Sequence, residues 1–125
     1  MNVRCGGNLM ENFEVAREDR SDVSILRLKG FLDAHTAPKF EQAIQQLLTE
    51  RRFRIIVSMS DLNYISSAGL GVFMGFIEEI RDNKGDIKLS NMPDKVYKVF
   101  DLLGFPALYQ IFKEEDEATE KYHDQ

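Results

Sequence analysis

Ser66 and Ser67 stand side by side in the stretch DLNYISSAGLGV, where a polar run gives way to an apolar one. A hydroxyl at such a junction has three possible chemistries. It can cap the free N–H groups of a helix start, a contribution of about 0.5–2 kcal/mol. It can accept a phosphoryl group, which would meet those same donors and the positive end of the helix dipole. It can also attack a substrate, provided that a base lies within hydrogen-bond reach. Capping needs only one serine, which leaves the second free. A phosphate there would change the local charge by about −1.5 to −2 while the fold stands, enough to turn a docking surface into a repelling one. The nucleophile reading has little behind it. No Gly-x-Ser-x-Gly surrounds either serine, His35 is the only speculative base, and neither GxGxxG nor GxxxxGK[ST] occurs, so the chain is read as neither an enzyme nor a nucleotide binder and no cofactor is expected.

The residues around the serines sharpen the question. Gly69, Gly71 and Gly75 each lower helix stability by up to about 1 kcal/mol relative to alanine, so something must approach closely, either the domain's own sheet or a partner. Val72 and Phe76 lie four apart and off the stripe of Phe73, Ile77 and Ile80, which makes them candidate partner contacts unless a neighbouring helix covers them. In GFLDAHTAPKF, Asp33 follows a strand and precedes a helix; it serves as a turn or cap residue or shapes the polar surface beside the serines. His35 and His123 have no metal-ligand spacing around them, and Cys5 has no ligand-type neighbours, so no metal is expected. As the single cysteine, Cys5 agrees with a reducing cytoplasm.

These residues need elements to hold them. Residues 13–17 and 23–29 alternate and read as a hairpin turned by EDRSD and ended by Gly30. A helix over 36–50 carries Ala37, Phe40, Ile44, Leu47 and Leu48 as a buried stripe, with Thr36 as N-cap and Pro38 in the first turn. FRIIVSM at 53–59 reads as an interior strand covered on both sides. The helix after the serines spans about 68–83 and is followed by a strand at 87–90. A helix beginning at Pro93 has Gly104 as its C-cap, a last strand lies at 107–112, and an acidic terminal helix or tail is solvated. The order is ββαβαβαβα, an α/β fold with one mixed sheet.

Composition bounds the rest. A length of 125 residues suits one domain over 1–125, with an ordinary soluble balance of apolar and charged residues. A net charge of −5 disfavours nucleic acid, and no window approaches the apolar length of a membrane span. The start has no apolar stretch of signal-peptide length, so a cytoplasmic protein is expected.

Two segments together carry a resemblance to a known family. Gly30, Leu32, Asp33, Thr36 and Ala37 match one family pattern, and Asp61, Leu62, Ser66, Ser67, Ala68, Gly69, Leu70 and Gly71 fall in register with a second. On these the chain resembles the STAS domains of bacterial anti-sigma factor antagonists over residues 12–113. The resemblance implies a sheet with amphipathic helices packed mainly on one side, and a phosphoacceptor at Ser67. It also implies partner contacts around Asp33, Ser66, Gly69, Gly71, Val72 and Phe76. The implied partners are an anti-sigma factor that is also a serine kinase, which binds the unphosphorylated form, and a serine phosphatase that restores it. One departure is visible: Ser66 stands where the family commonly has an acidic residue, and it could itself be modified. The alternative expectation is a non-switching scaffold or a subunit of another signalling assembly.

Overall fold

In the computed structural model, which describes residues 13–123, the expected element order is present. Strands β1 (Phe13–Arg20) and β2 (Val23–Leu32) form an antiparallel hairpin, and helix α1 (Ala37–Thr49) leads to β3 (Arg54–Ile65). Helix α2 (Ser67–Asp82), β4 (Asp86–Ser90), α3 (Asp94–Leu102), β5 (Ile111–Phe112) and α4 (Glu115–His123) follow. The five strands lie in chain order in one sheet, antiparallel at β1–β2 and parallel from β2 to β5. Cys5 and the first twelve residues lie outside the described part.

The main core lies on the face covered by α1, α2 and α3. Leu26, Leu28 and Leu32 of β2 and Ile55, Val57 and Met59 of β3 meet Phe40, Ile44, Phe73 and Phe100 there. Phe73 is the hub, with edge-on contacts to Phe40, Phe100 and Tyr109 at ring separations of 5.1, 5.7 and 6.1 Å. Such pairs contribute about 0.5–1.5 kcal/mol beyond their buried area.

The acidic C-terminal stretch departs from its expectation. It is not a solvated tail: α4 packs on the opposite face of the sheet and closes a second core of Val23, Ile25, Ile56, Ala118 and Tyr122. The low apolar content of EEDEATEKYH hides two anchors one helical turn apart, Ala118 and Tyr122, both fully buried. Its first-turn acids are tied to the sheet: Glu115 receives a two-pronged pair from Arg27 at 2.8 and 2.9 Å, which holds the Glu115 carboxyl below its usual range. Because α4 and the paired β2 side chains together cover only the amino-terminal half of this face, β3 begins as the doubly covered strand expected and ends with one face bare.

Three boundaries moved for identifiable reasons. Gly30 does not end β2; at φ 102° it sits at a register shift against β3, and the strand continues to Leu32. The apolar run ALYQIF is strand only at Ile111–Phe112. Phe105 and Tyr109 reach the core instead through a 3-10 turn at Phe105–Ala107, with the Tyr109 N–H donating to the Phe105 carbonyl at 3.0 Å. DLNYI is not a loop before the serines but the end of β3, so the strand delivers Ile65 directly to Ser66. Gly104 falls just past α3 in the left-handed region, φ 78°, as a helix stop requires.

Candidate functional site

β2 and β3 run parallel and end side by side, Leu32 against Ile65. Each is followed at once by a helix, so two helix amino termini open at one pole of the sheet. The Ser66 N–H donates to the Leu32 carbonyl at 2.9 Å, which ties the start of α2 to the end of β2 and brings the Asp33 and Ser66 segments together.

Asp33 builds the turn into α1. Its Oδ1 accepts from the N–H groups of His35 at 2.9 Å and Thr36 at 3.1 Å, and its carbonyl accepts from Ala37 at 2.8 Å. The Thr36 hydroxyl faces backwards, donating to the Phe31 carbonyl at 2.7 Å and accepting from the Asp33 N–H at 2.9 Å. Thr36 occupies the N-cap position without capping through its side chain; its hydroxyl locks the turn instead. His35 is exposed, with no acid–base partner among the described residues.

At α2 the division of labour between the serines is plain. Ser66 is the N-cap residue with extended backbone, φ −105° and ψ 175°, yet its hydroxyl makes no cap hydrogen bond and is buried without a partner. Ser67 is the first helical residue and is exposed, and no described group bonds its hydroxyl. The first turn of this 16-residue helix holds no acidic side chain, so its partial positive charge is uncompensated. Neither hydroxyl is used in capping, and only that of Ser67 is open to another molecule.

The glycines and apolar candidates separate. Gly69 is buried against the chain itself: a Cβ there would stand 2.7 Å from Leu32 Cγ and 3.0 Å from Ile65 Cγ1. Val72 is 4 % exposed and belongs to the core, so it is corrected from a partner contact to a packing residue; four positions from Phe76, it turns inward beside Phe73. Phe76 is partly buried against the same core. Gly71 and Gly75 face open space. We expect Gly69→Ala to lower stability by about 1 kcal/mol, because overpacking costs about 1–3 kcal/mol and the gain in helix propensity returns only part of it. Gly71→Ala should raise stability by up to about 1 kcal/mol. Urea unfolding of the two variants checks this, and Gly69→Ala as stable as Gly71→Ala would refute the close packing.

Sequence reasoning missed three exposed apolar residues, two of them at this pole and one midway along α2. Phe31 and Tyr64, 44 % and 49 % exposed, lie opposite one another on β2 and β3 with rings 6.3 Å apart, on the bare face beyond α4. Met74, half exposed, lies on the outer side of α2. Strand alternation could have found the pair, since Leu32 and Ile65 point into the core and their neighbours must point away.

Among the described residues no group of His, Cys, Asp and Glu is placed to hold a metal, and no helix is long and apolar enough to cross a membrane.

Several proteins similar to this chain in sequence or fold are anti-sigma factor antagonists. An anti-sigma-B factor antagonist of Listeria monocytogenes is 26 % identical over 108 residues, covering 86 % of this chain and 94 % of the relative. An anti-sigma F factor antagonist of Paenibacillus polymyxa is 27 % identical over 108 residues, covering 86 % and 92 %. In fold, the chain is similar to the unphosphorylated form of the anti-sigma factor antagonist SpoIIAA, with a TM-score of 0.76 at 24 % identity and coverage of 90 % and 97 %. An anti-sigma factor antagonist from Mycobacterium paratuberculosis gives 0.79 at 21 % identity, covering 87 % and 92 %. The STAS domain model matches residues 14–118, from the first strand of the sheet to the helix that closes its second face, and the chain therefore belongs to the STAS domain family.

Proposed function

We propose that this protein is an anti-sigma factor antagonist whose binding is switched at Ser67. Unphosphorylated, it docks through the pole formed by the starts of α1 and α2 on an anti-sigma factor that is also a serine kinase, and so frees a sigma factor. Phosphorylation of Ser67 ends the complex, and a serine phosphatase restores it.

The observation that carries the reading is the Ser67 hydroxyl itself: exposed, unbonded and set on the uncompensated positive end of α2, while the Ser66 hydroxyl beside it is buried. A phosphate on Ser67 meets free backbone N–H groups rather than a carboxylate, so the folded domain tolerates it. One on Ser66 would have to break the junction with β2. Asp33 acts from within its turn by fixing the height of the neighbouring loop. The exposed contact surface falls to Gly71, Met74, Phe31 and Tyr64 rather than to Gly69 or Val72. The names of the relatives, which this chain spans over nine-tenths of their length, point the same way. Protein purified from its own host and mapped by peptide mass spectrometry should carry a phosphoryl group on Ser67 under some growth or stress condition. Unmodified Ser67 across all conditions would return the chain to the role of a non-switching scaffold.

A further inference from the structure

At the opposite pole from Ser67, between the last turn of α2, the 3-10 segment and the last turn of α4, lies an open cleft of about 610 Å3. That volume is in the range of small-ligand sites, about 300–1,000 Å3. We propose that it binds a small amphipathic oxyanion: a phosphate or carboxylate carried on an aromatic or aliphatic body.

The charge of the cleft runs against that of the chain. Arg81 and Lys121 line it, and Lys88 lies behind it, wholly buried in β4. Both Arg81 and Lys121 are close enough for their charges to oppose that of Lys88. Asp86 pairs with two of these three cations, accepting from Arg81 at 3.1 Å and from Lys88 at 3.3 Å. The polypeptide as a whole carries −5. Arg81 spends its Nη2 on the Leu108 carbonyl, and its Nη1 donates to no described group. Lys121 has no partner among the described residues. Arg81 and Lys121 stand in the last turns of their helices, where cations also complement the dipole. Lys88 has no such role. It is a charge held in the interior, propped by the Gln110 side-chain oxygen at 2.6 Å and by the Tyr122 ring at 4.4 Å, and Gln110 itself faces the cleft.

The other wall is apolar. Tyr97, Leu108 and Phe112 line it, and Tyr97 and Leu108 are 39 % and 46 % exposed, surface that a soluble domain gains by covering. A bare inorganic anion would leave this wall wet, and a neutral apolar molecule would leave the cations unanswered. A ligand carrying both parts satisfies the two together.

The test is a chemical-shift titration of the full-length protein with phenyl phosphate, with inorganic phosphate and phenol as the half-ligands. Phenyl phosphate should saturate and move the amides of Arg81, residues 107–112 and Lys121, leaving Ser67 unmoved. Each half-ligand should bind about tenfold more weakly or worse, a difference of about 1.4 kcal/mol. Lys121→Glu, which alters an exposed side chain with no described partner, should leave the domain folded, with a melting temperature lowered only by the lost complement to the helix dipole, and should lower the phenyl phosphate affinity by at least about tenfold. Shifts that do not saturate, shifts centred on the start of α2, or an affinity indifferent to Lys121→Glu would each overturn the proposal. None of these results bears on the Ser67 switch, which stands or falls by phosphate mapping.

Discussion

Ser67→Asp will weaken the complex with the anti-sigma factor by more than about tenfold, or about 1.4 kcal/mol, and will leave the domain as stable as before or slightly more so. The two halves of this expectation come from the same geometry. Residue 67 is the first of α2, no acidic side chain lies in that first turn, and the hydroxyl bonds nothing. A carboxylate placed there completes the helix dipole, a stabilisation of about 0.3–1 kcal/mol, and breaks no existing contact. For a docked partner the same carboxylate is a desolvated charge where the parent presents a neutral hydroxyl. Ser67→Ala supplies the control: it keeps the complex and abolishes phosphorylation. Titration calorimetry against the purified partner, with urea unfolding of all three proteins in parallel, separates lost binding from lost fold. Equal affinity of the aspartate variant and the parent would sink the switch, and a destabilised aspartate variant would show that Ser67 contributes to the fold after all.

The pole around Ser67 combines parts that move independently in sequence. The turn at Asp33 and the start of α2 are 30-odd residues apart, and only the parallel pairing of Leu32 with Ile65 makes them neighbours. A rigid arrangement follows, since the Asp33 turn is held by the N–H groups of His35, Thr36 and Ala37 and by the Thr36 hydroxyl, and Ser66 by its bond to the Leu32 carbonyl. Under the proposed function, a partner binding at such a surface would order little, and the complex would be lost chiefly through charge.

Helices with a clean apolar stripe were legible from spacing alone, as Phe40, Ile44 and Leu47 of α1 illustrate, because their periodicity is set by the same core that buries them. The serine pair stood out as a candidate for a different reason: two hydroxyls at a helix start exceed what capping needs, although in the fold neither hydroxyl caps α2. What spacing could not decide was the direction of residues at the seam between stripe and surface. Val72 and Phe76 share one spacing, yet Val72 is core and Phe76 only half-covered, a difference set by the tertiary packing around α2 that no local pattern encodes. Gly69 and Gly71 differ likewise, one pressed on Leu32 and the other facing solvent. The terminal helix was misjudged because its charge density is a surface property, whereas its apolar anchorage rests on Ala118 and Tyr122.

Those two residues set the second large expectation. Tyr122→Ala should cost about 3–5 kcal/mol, the range for truncating a large buried aromatic, and should be the most damaging single change outside the main core. The ring is fully buried against Val23, Ile25 and Ile56, and its hydroxyl accepts from the Ile55 N–H at 3.1 Å while lying 2.7 and 2.5 Å from the carbonyls of Ile55 and Asp86. One side chain thus fastens α4 to both β3 and the first residue of β4. Burial and the nearby Asp86 carboxylate push the phenol well above its usual pKa, so the neutral hydroxyl persists through alkaline conditions that would ionise an exposed tyrosine. Tyr122→Phe keeps the ring and removes the hydroxyl, and should cost about 1–3 kcal/mol for the polar groups left without it. The ordering in urea unfolding, parent above phenylalanine above alanine, distinguishes the ring from its hydroxyl. If alanine cost less than about 1 kcal/mol, α4 would be an appendage and the second core would not be part of the cooperative fold. With the expected loss, the sheet is held from both faces, and the acidic terminus is as much a part of the domain as the helix that carries Ser67.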